Sequence, residues 1–303
     1  MTKKIALVGI GKIAVDQHVP AINGSDDWEL AATVSRSGSV DGIPAFTDID
    51  AMLADRRDIS VISLCLPPVP RFAYAAKAIA AGRHVMLEKP PGATLAEVHE
   101  LDRMAKDAGV TLFATWHSRA AKAVQPARAW LADKTVTAAH INWKEDVRKW
   151  HPGQEWVFEP GGMGVFDPGI NALSIITEIL PFEMHLKHAT LEFPENRDTP
   201  IAAQMQWSGN VSGDFDWRQT GPQSWDIRVE TDAGVLDLTD GGTRLKIDGK
   251  EQDTGDLGEY PALYQRMSEL VATSQSDVDL RPMVHVADAL TLGKRVIVDA
   301  FHF

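Results

Sequence analysis

Two periodicities divide the chain. Up to about residue 118, short apolar runs alternate with segments whose apolar positions recur every three to four residues. Ile5–Val8, Leu30–Val34, Val61–Leu66, His84–Leu87 and Val110–Ala114 read as buried strands, with helices predicted at Arg71–Ala81 and Leu95–Ala108. Near-continuous apolar strands alternating with helices imply βαβ units and a parallel sheet covered on both faces. That is an α/β, doubly wound architecture.

Beyond that point the pattern changes to strands in succession. Val136–Trp143, Met184–Phe193, Ile201–Trp207, Gly213–Arg218, Trp225–Thr231, Val235–Thr239 and Arg244–Ile247 are strand-like, several joined by turns such as Asp232-Ala233-Gly234 and Asp240-Gly241-Gly242. Short glycine turns favour hairpins, so this part reads as an α+β domain with a large open-faced, mostly antiparallel sheet. Helical patterns at Pro261–Ala272 and Met283–Val298 follow. The boundary is placed near Ser118, giving domains 1–118 and 119–303, with the last helix free to pack back on the first domain. No internal repeat or low-complexity tract interrupts either part.

With 303 residues and 44% hydrophobic composition, both parts can bury real cores. A formal charge of −12 without a long basic run argues against a nucleic-acid surface. The single cysteine, Cys65, excludes an internal disulfide and reads as a small buried residue in its apolar run. No long apolar segment or cleavage site follows Met1, so neither secretion nor membrane insertion is expected, and the expected location is the cytoplasm. No metal is implied, and the expected partner is a small molecule.

Candidate chemistry begins at Gly9-Ile10-Gly11-Lys12-Ile13-Ala14, a GxGxxA directly after the first strand. Glycines there let the backbone approach a pyrophosphate, whose charge meets the N–H groups of a helix start. At the end of the second strand, where an NAD site offers a carboxylate to the ribose, the chain has Ser35-Arg36-Ser37. A guanidinium between two hydroxyls suits a 2′-phosphate, favouring NADP over NAD, although Asp41 follows. Cys65, Leu66 and Pro67, at the end of the third long strand, and Glu88 and Lys89, at the end of the next, complete the cofactor-binding candidates. Pro90 biases Lys89 away from helical conformation at a sheet edge where ligands bind.

Taken together, VGIGKIA, EKPPGATL, FATWHSR and GGMGVFDPGINAL resemble the Gfo/Idh/MocA family of nicotinamide-dependent oxidoreductases over essentially the whole chain. The stretches Trp143–Arg148, Trp150–Gly153 and Phe166–Ile175 are most similar to its bacterial aldose 1-dehydrogenase branch. The resemblance implies a Rossmann domain followed by a sheet domain, NADP as cofactor, and oxidation of D-galactose, L-arabinose or D-fucose at C1 to a lactone. Lys89, Asp167 and Asn171 are the catalytic candidates. Many family members carry histidine where this chain has Asn171; asparagine cannot accept a proton, which leaves Lys89 and Asp167 as alternatives for that role. By local chemistry alone, Asp167 reads as a helix N-cap and Pro168 as the first helical residue, with Asn171 one turn on from Asp167.

Sugar recognition needs apolar faces for C–H groups and fixed polar groups for hydroxyls. Nine tryptophans against three tyrosines suit the first need. His117, Trp150, His151 and Trp225 lie in or near the resembling stretches and join Lys89, Asp167 and Asn171 as substrate-binding candidates. Cyclic polyols, keto sugars and a non-catalytic sugar sensor are the competing readings. The exposed sheet face of the second domain is the expected surface of a homo-oligomer, a dimer in the simplest case.

Overall fold

The computed structural model describes residues 2–303, which fall into two compact units. The chain up to His117 forms most of the first. Its strands are β1 (Lys3–Val8), β2 (Trp28–Val34), β3 (Ala45–Phe46), β4 (Val61–Leu64), β5 (His84–Leu87) and β6 (Leu112–Ala114). They form one parallel sheet in the order β3-β2-β1-β4-β5-β6. The chain moves outward from β1 through β2 to β3, then returns to β4 and proceeds the other way. That reversal is the point where open parallel sheets bind ligands.

Helices connect the strands. A wide turn over Ala14–His18 leads into α1 (Val19–Asn23), followed by α2 (Ile49–Asp55), α3 (Pro68–Ala80) and α4 (Leu95–Ala108). The bounds of α4 follow from its ends: Thr94 and Glu97 cap each other's backbone N–H groups, and Gly109, at φ +65, closes the helix. Val8, Ala32, Ile62, Leu64, Val85 and Leu87 from the sheet pack with Ile79, Leu101 and Ala105 from the helices in one apolar core. The strand expected at Val61–Leu66 ends at Leu64, so Cys65 lies in the following loop and is half-buried rather than buried in a strand. The exposure expected of a sheet edge is also relieved: Ala114 N–H donates to the Asp277 carbonyl, and Asp277 N–H to Leu112.

The second unit begins at Ser118. It holds α5 (Val124–Leu131), β7 (Val136–Lys144), the short α6 (Val147–Trp150), α7 (Phe166–Ile179), β8 (Leu186–Pro194), β9 (Ala202–Trp207), β10 (Val211–Asp216), β11 (Ser224–Thr231), β12 (Gly234–Thr239), β13 (Arg244–Ile247) and β14 (Lys250–Glu251). Gly258–Asp279, containing α8 (Glu259–Thr273), then belongs to the first unit. Chain order alone puts this segment in the second domain. What holds it is side-chain chemistry: Trp28 Nε1 donates to the Tyr264 carbonyl, and Lys3 Nζ to Ser268 Oγ.

The second unit is completed by α9 (Arg281–Leu292) and β15 (Lys294–Val298). A helix over Met283–Val298 is therefore corrected: it stops at Gly293, and the β-branched run Val296-Ile297-Val298 pairs in parallel with β8. The nine-stranded sheet has the order β14-β13-β12-β11-β7-β10-β9-β8-β15, antiparallel except at β7/β10 and β8/β15. Alternation sets its faces. In β7, Ala139, Ile141 and Trp143 are buried while His140 is exposed. Helix α7 is buried at every residue except Asn171 and Glu178, and a side chain at Gly169 would press on the Phe215 ring of β10.

Candidate active site

In the first unit the turn after β1 sits at the sheet's reversal point. Gly9 N–H donates to the Val34 carbonyl and Cys65 N–H to Val8, so the loops after β1, β2 and β4 meet there. Gly9 has φ +89, and a Cβ on it would lie 2.9 Å from the Leu66 nitrogen. Only glycine fits. Around Gly11 no atom lies within 4 Å of the corresponding Cβ position, leaving the backbone open to a diphosphate. Lys12, Ile13 and Ala14 enter the helical turn, with Lys12 paired to Asp16. The Ser35 hydroxyl accepts from the N–H groups of Ser37 and Gly38, shaping a turn from which Arg36 is exposed to solvent. Leu66 is half-buried and Pro67 exposed beside it. These residues fit a nicotinamide dinucleotide.

Lys89 follows β5 and is half-buried, with its N–H donating to its neighbour's Glu88 Oε2 at 2.7 Å. Glu88 is 5% exposed. Its other oxygen accepts from the Tyr260 hydroxyl at 2.6 Å and lies 3.2 Å from His18 Nε2, while His18 Nδ1 lies 2.8 Å from the Tyr264 hydroxyl. Burial by itself pushes the Glu88 carboxyl up. The His18 hydrogen bond and charge, with the Tyr260 hydroxyl, more than reverse this and hold it well below the usual carboxylate range. Burial likewise opposes charge on His18, and Cys65, Tyr264 and Glu88 together hold its proton well above the usual imidazole range. Lys89 is thus a lysine whose backbone is held by a buried carboxylate.

Two further groups frame this turn. Arg71, on α3 and 2% exposed, donates to the carbonyls of Leu66, Glu88 and Pro90, tying the loop after β4 to the turn after β5. Its sequence signal is positional: Arg71 occupies the buried stripe of α3 with Pro68, Ala75, Ala78 and Ile79. His117 Nδ1 lies 2.8 Å from Glu259 Oε2, and its ring stacks on Tyr260 at 5.7 Å. His18, Tyr260 and Glu259 carry no sequence signal, because their partners are remote in the chain.

In the second unit, α7 begins at Phe166 with Val165 as its N-cap and no side-chain cap bond. The N-cap assigned to Asp167 is corrected: Asp167 N–H donates to the Gly164 carbonyl, so the helix has already begun, and the carboxylate serves another purpose. Its Oδ2 lies 3.1 Å from His151 Nε2. Asn171 stands one turn along, half-buried. The His151 ring meets Trp156 at 6.2 Å and Trp217 at 5.4 Å. Trp217 and Trp225 donate to the two oxygens of Glu145, at 3.1 and 2.9 Å. Trp150 packs against Trp225 at 5.8 Å and donates to Gln223. Glu145, inside the Trp143–Arg148 motif, carries no sequence signal of its own. Two indole donors directed at one buried carboxylate single it out.

The candidates therefore form two sets: Lys89 and His117 in the first unit, and in the second His151 paired with Asp167, Asn171 one turn on from Asp167, and Trp150 and Trp225 beside Glu145. Among the described residues, no group of three or more His, Cys, Asp or Glu is arranged to hold a metal ion, and no helix is long and apolar enough to cross a membrane.

A glycine turn at the reversal point of a parallel sheet, with a lysine at the end of a nearby strand, defines the class as a dinucleotide-binding oxidoreductase. Residues 3–115 match the Gfo/Idh/MocA model, described as an oxidoreductase family with an NAD-binding Rossmann fold. Galactose 1-dehydrogenase of Pseudomonas fluorescens is 41% identical over 99% of this chain and 98% of its own. The crystal structure of D-galactose-1-dehydrogenase from Rhizobium etli superposes with a TM-score of 0.96 at 52% identity, covering 100% of this chain and 99% of the other. A 3-ketoreductase from Actinomadura kijaniata, solved with NADP, shares the fold at TM-score 0.82 and 16% identity over 98% of this chain and all of its own. The chain belongs to the Gfo/Idh/MocA oxidoreductase family.

Proposed function

We propose that this enzyme oxidises an aldopyranose at C1 to the aldonolactone, with D-galactose and L-arabinose as substrates, D-fucose as a third, and NADP as the preferred acceptor. The observation that carries the reading is end-to-end similarity to two galactose 1-dehydrogenases, at 41% and 52% identity. D-Galactose and L-arabinose share the configuration of C2 to C4 and differ by one hydroxymethyl on C5. Size selection at one small group is worth only about 1–3 kcal/mol, so dual use is expected.

A nicotinamide dinucleotide, which Gly9–Ala14 and Ser35–Ser37 would hold, would supply the hydride acceptor for C1. The chain's residues do the rest. In this reading Lys89 supplies the ammonium donor for negative charge developing on O1, Asp167 the proton acceptor and Asn171 an orienting amide. His117, His151, Trp150 and Trp225 contribute polar contacts and aromatic faces to the sugar. The preference for NADP is supported by Arg36 between two serines, with no carboxylate in the Ser35-Arg36-Ser37 turn.

The test is the initial rate of reduced-nicotinamide formation with each sugar and each cofactor. NADP-dependent turnover of D-galactose and L-arabinose, with myo-inositol inert, is the expected result. Tight NADP binding with no turnover of either aldose would sink the substrate assignment.

A further inference from the structure

The segment from His151 to Trp156 fixes the charge on His151 through hydrogen-bond polarity alone. Gly153, at φ +67, reverses the chain after Pro152 and returns Gln154 to His151. Trp156 Nε1 donates to Gln154 Oε1 at 3.1 Å, and His151 Nδ1 lies 3.2 Å from that same oxygen. An indole N–H only donates, so the amide must present oxygen to Trp156, which removes the usual ambiguity of an amide's orientation. That oxygen only accepts, and Nδ1 must carry a proton to bond it.

The other side of the ring makes the same demand. Nε2 lies 3.1 Å from Asp167 Oδ2, and a carboxylate also only accepts. A neutral imidazole has one N–H and cannot serve both acceptors. An imidazolium serves both, and imidazole ordinarily outcompetes a carboxylate for a proton. The surroundings agree in sign. Trp217, whose ring meets His151, donates to the buried Glu145 carboxylate behind it, and both acidic groups favour a cationic ring.

We infer that Gln154, locked by Trp156, is a positioning residue that holds His151 doubly protonated as the charge partner of Asp167. The second unit thus presents an imidazolium–carboxylate pair rather than a lone carboxylate. Asp167 enters the reaction as an oriented acceptor of restrained basicity. Its catalytic consequence rests on the dehydrogenase reading; its charge state does not.

The experiment uses the full chain labelled with ¹⁵N-histidine, without sugar or cofactor, and reads the two ring nitrogens of His151, assigned by their loss in His151→Asn. The expected result near neutral pH is two protonated-type nitrogens in the parent. Gln154→Met should give a neutral ring with one unprotonated nitrogen, and Gln154→Glu, which keeps the acceptor, should restore the cation. A neutral ring in the parent, or a Gln154→Met ring that titrates like the parent, overturns the inference. In turnover, Gln154→Met should lower kcat roughly 10- to 100-fold, the scale of a hydrogen bond to a charged group, with Gln154→Glu recovering most of it. An enzyme inert toward every aldose would remove the dehydrogenase reading and leave the ring spectra to decide the charge.

Discussion

The two units hold their chemical groups in opposite ways. In the first, Lys89 is placed through its main chain: it stands one residue beyond the end of β5, the Glu88 carboxylate holds its N–H, and Arg71 holds the carbonyls on either side. In the second, Asp167, Glu145 and His151 are placed by side chains, chiefly indole N–H groups and ring contacts. Placement through the main chain depends on a short motif and on the two side chains, Glu88 and Arg71, that hold it. Side-chain placement distributes the work, so each member contributes less.

The largest predicted effect follows from the first mode. Lys89→Ala should lower kcat by about 10³-fold or more, as expected for loss of a charged proton-handling group, with NADP still binding in a fluorescence titration. A loss of cofactor binding instead would mean that Lys89 serves the dinucleotide rather than the chemistry.

Glu88→Gln should cost about 3 kcal/mol in denaturant unfolding, because it leaves His18 buried without its counter-charge. The sign with pH follows from the pair. His18, with its folded pKa raised, contributes stability below the ordinary imidazole range and loses it as pH rises through the folded value. Glu88, with its folded pKa lowered, contributes above the ordinary carboxylate range and loses it as pH falls through that lowered value. The gap between parent and variant should therefore be widest at mildly acidic pH and narrow as His18 deprotonates. A gap that widens toward alkaline pH would refute the assigned charges.

Arg36→Ala should raise KM for NADP about tenfold and leave KM for NAD nearly unchanged, the loss of one charge-assisted phosphate contact. Equal effects on both cofactors would place Arg36 outside the 2′-phosphate site. The smallest effect is expected from the distributed side: Trp225→Phe keeps the ring and loses one donor to Glu145, and should raise sugar KM about threefold with kcat unchanged. A collapse of kcat in this variant would show that the aromatic set acts as a unit rather than by shares.

The same contrast explains what was legible in sequence. β5, β13 and α4 have the bounds that pattern and caps predict, because apolar alternation and capping are local. The GxGxxA turn and EKP are local too. Glu88 and Tyr260, by contrast, are 172 positions apart, and His18 and Tyr264 are 246 apart, distances across which periodicity carries no information. The Asp167 misreading has a similar cause: aspartate before proline satisfies the rule for a helix start, and only the preceding turn through Gly164 shows that the helix began earlier. Gly293 marked the end of α9, but the apolar run beyond it fitted either period.

The strip of chain that closes the open side of β6 has a consequence for handling the protein. Through Leu112, Ala114, Ser276 and Asp277, the last strand of the parallel sheet has its outward hydrogen-bonding groups engaged within its own unit, and the opposite border, β3, is only two residues long. Neither border offers a long template for another molecule's strand. Strand addition, the usual route to fibrillar aggregates, thereby finds no template at either margin of the parallel sheet. Loosening residues 276–278 should appear first as a shorter storage life in concentrated solution, before any change in the enzyme's rate.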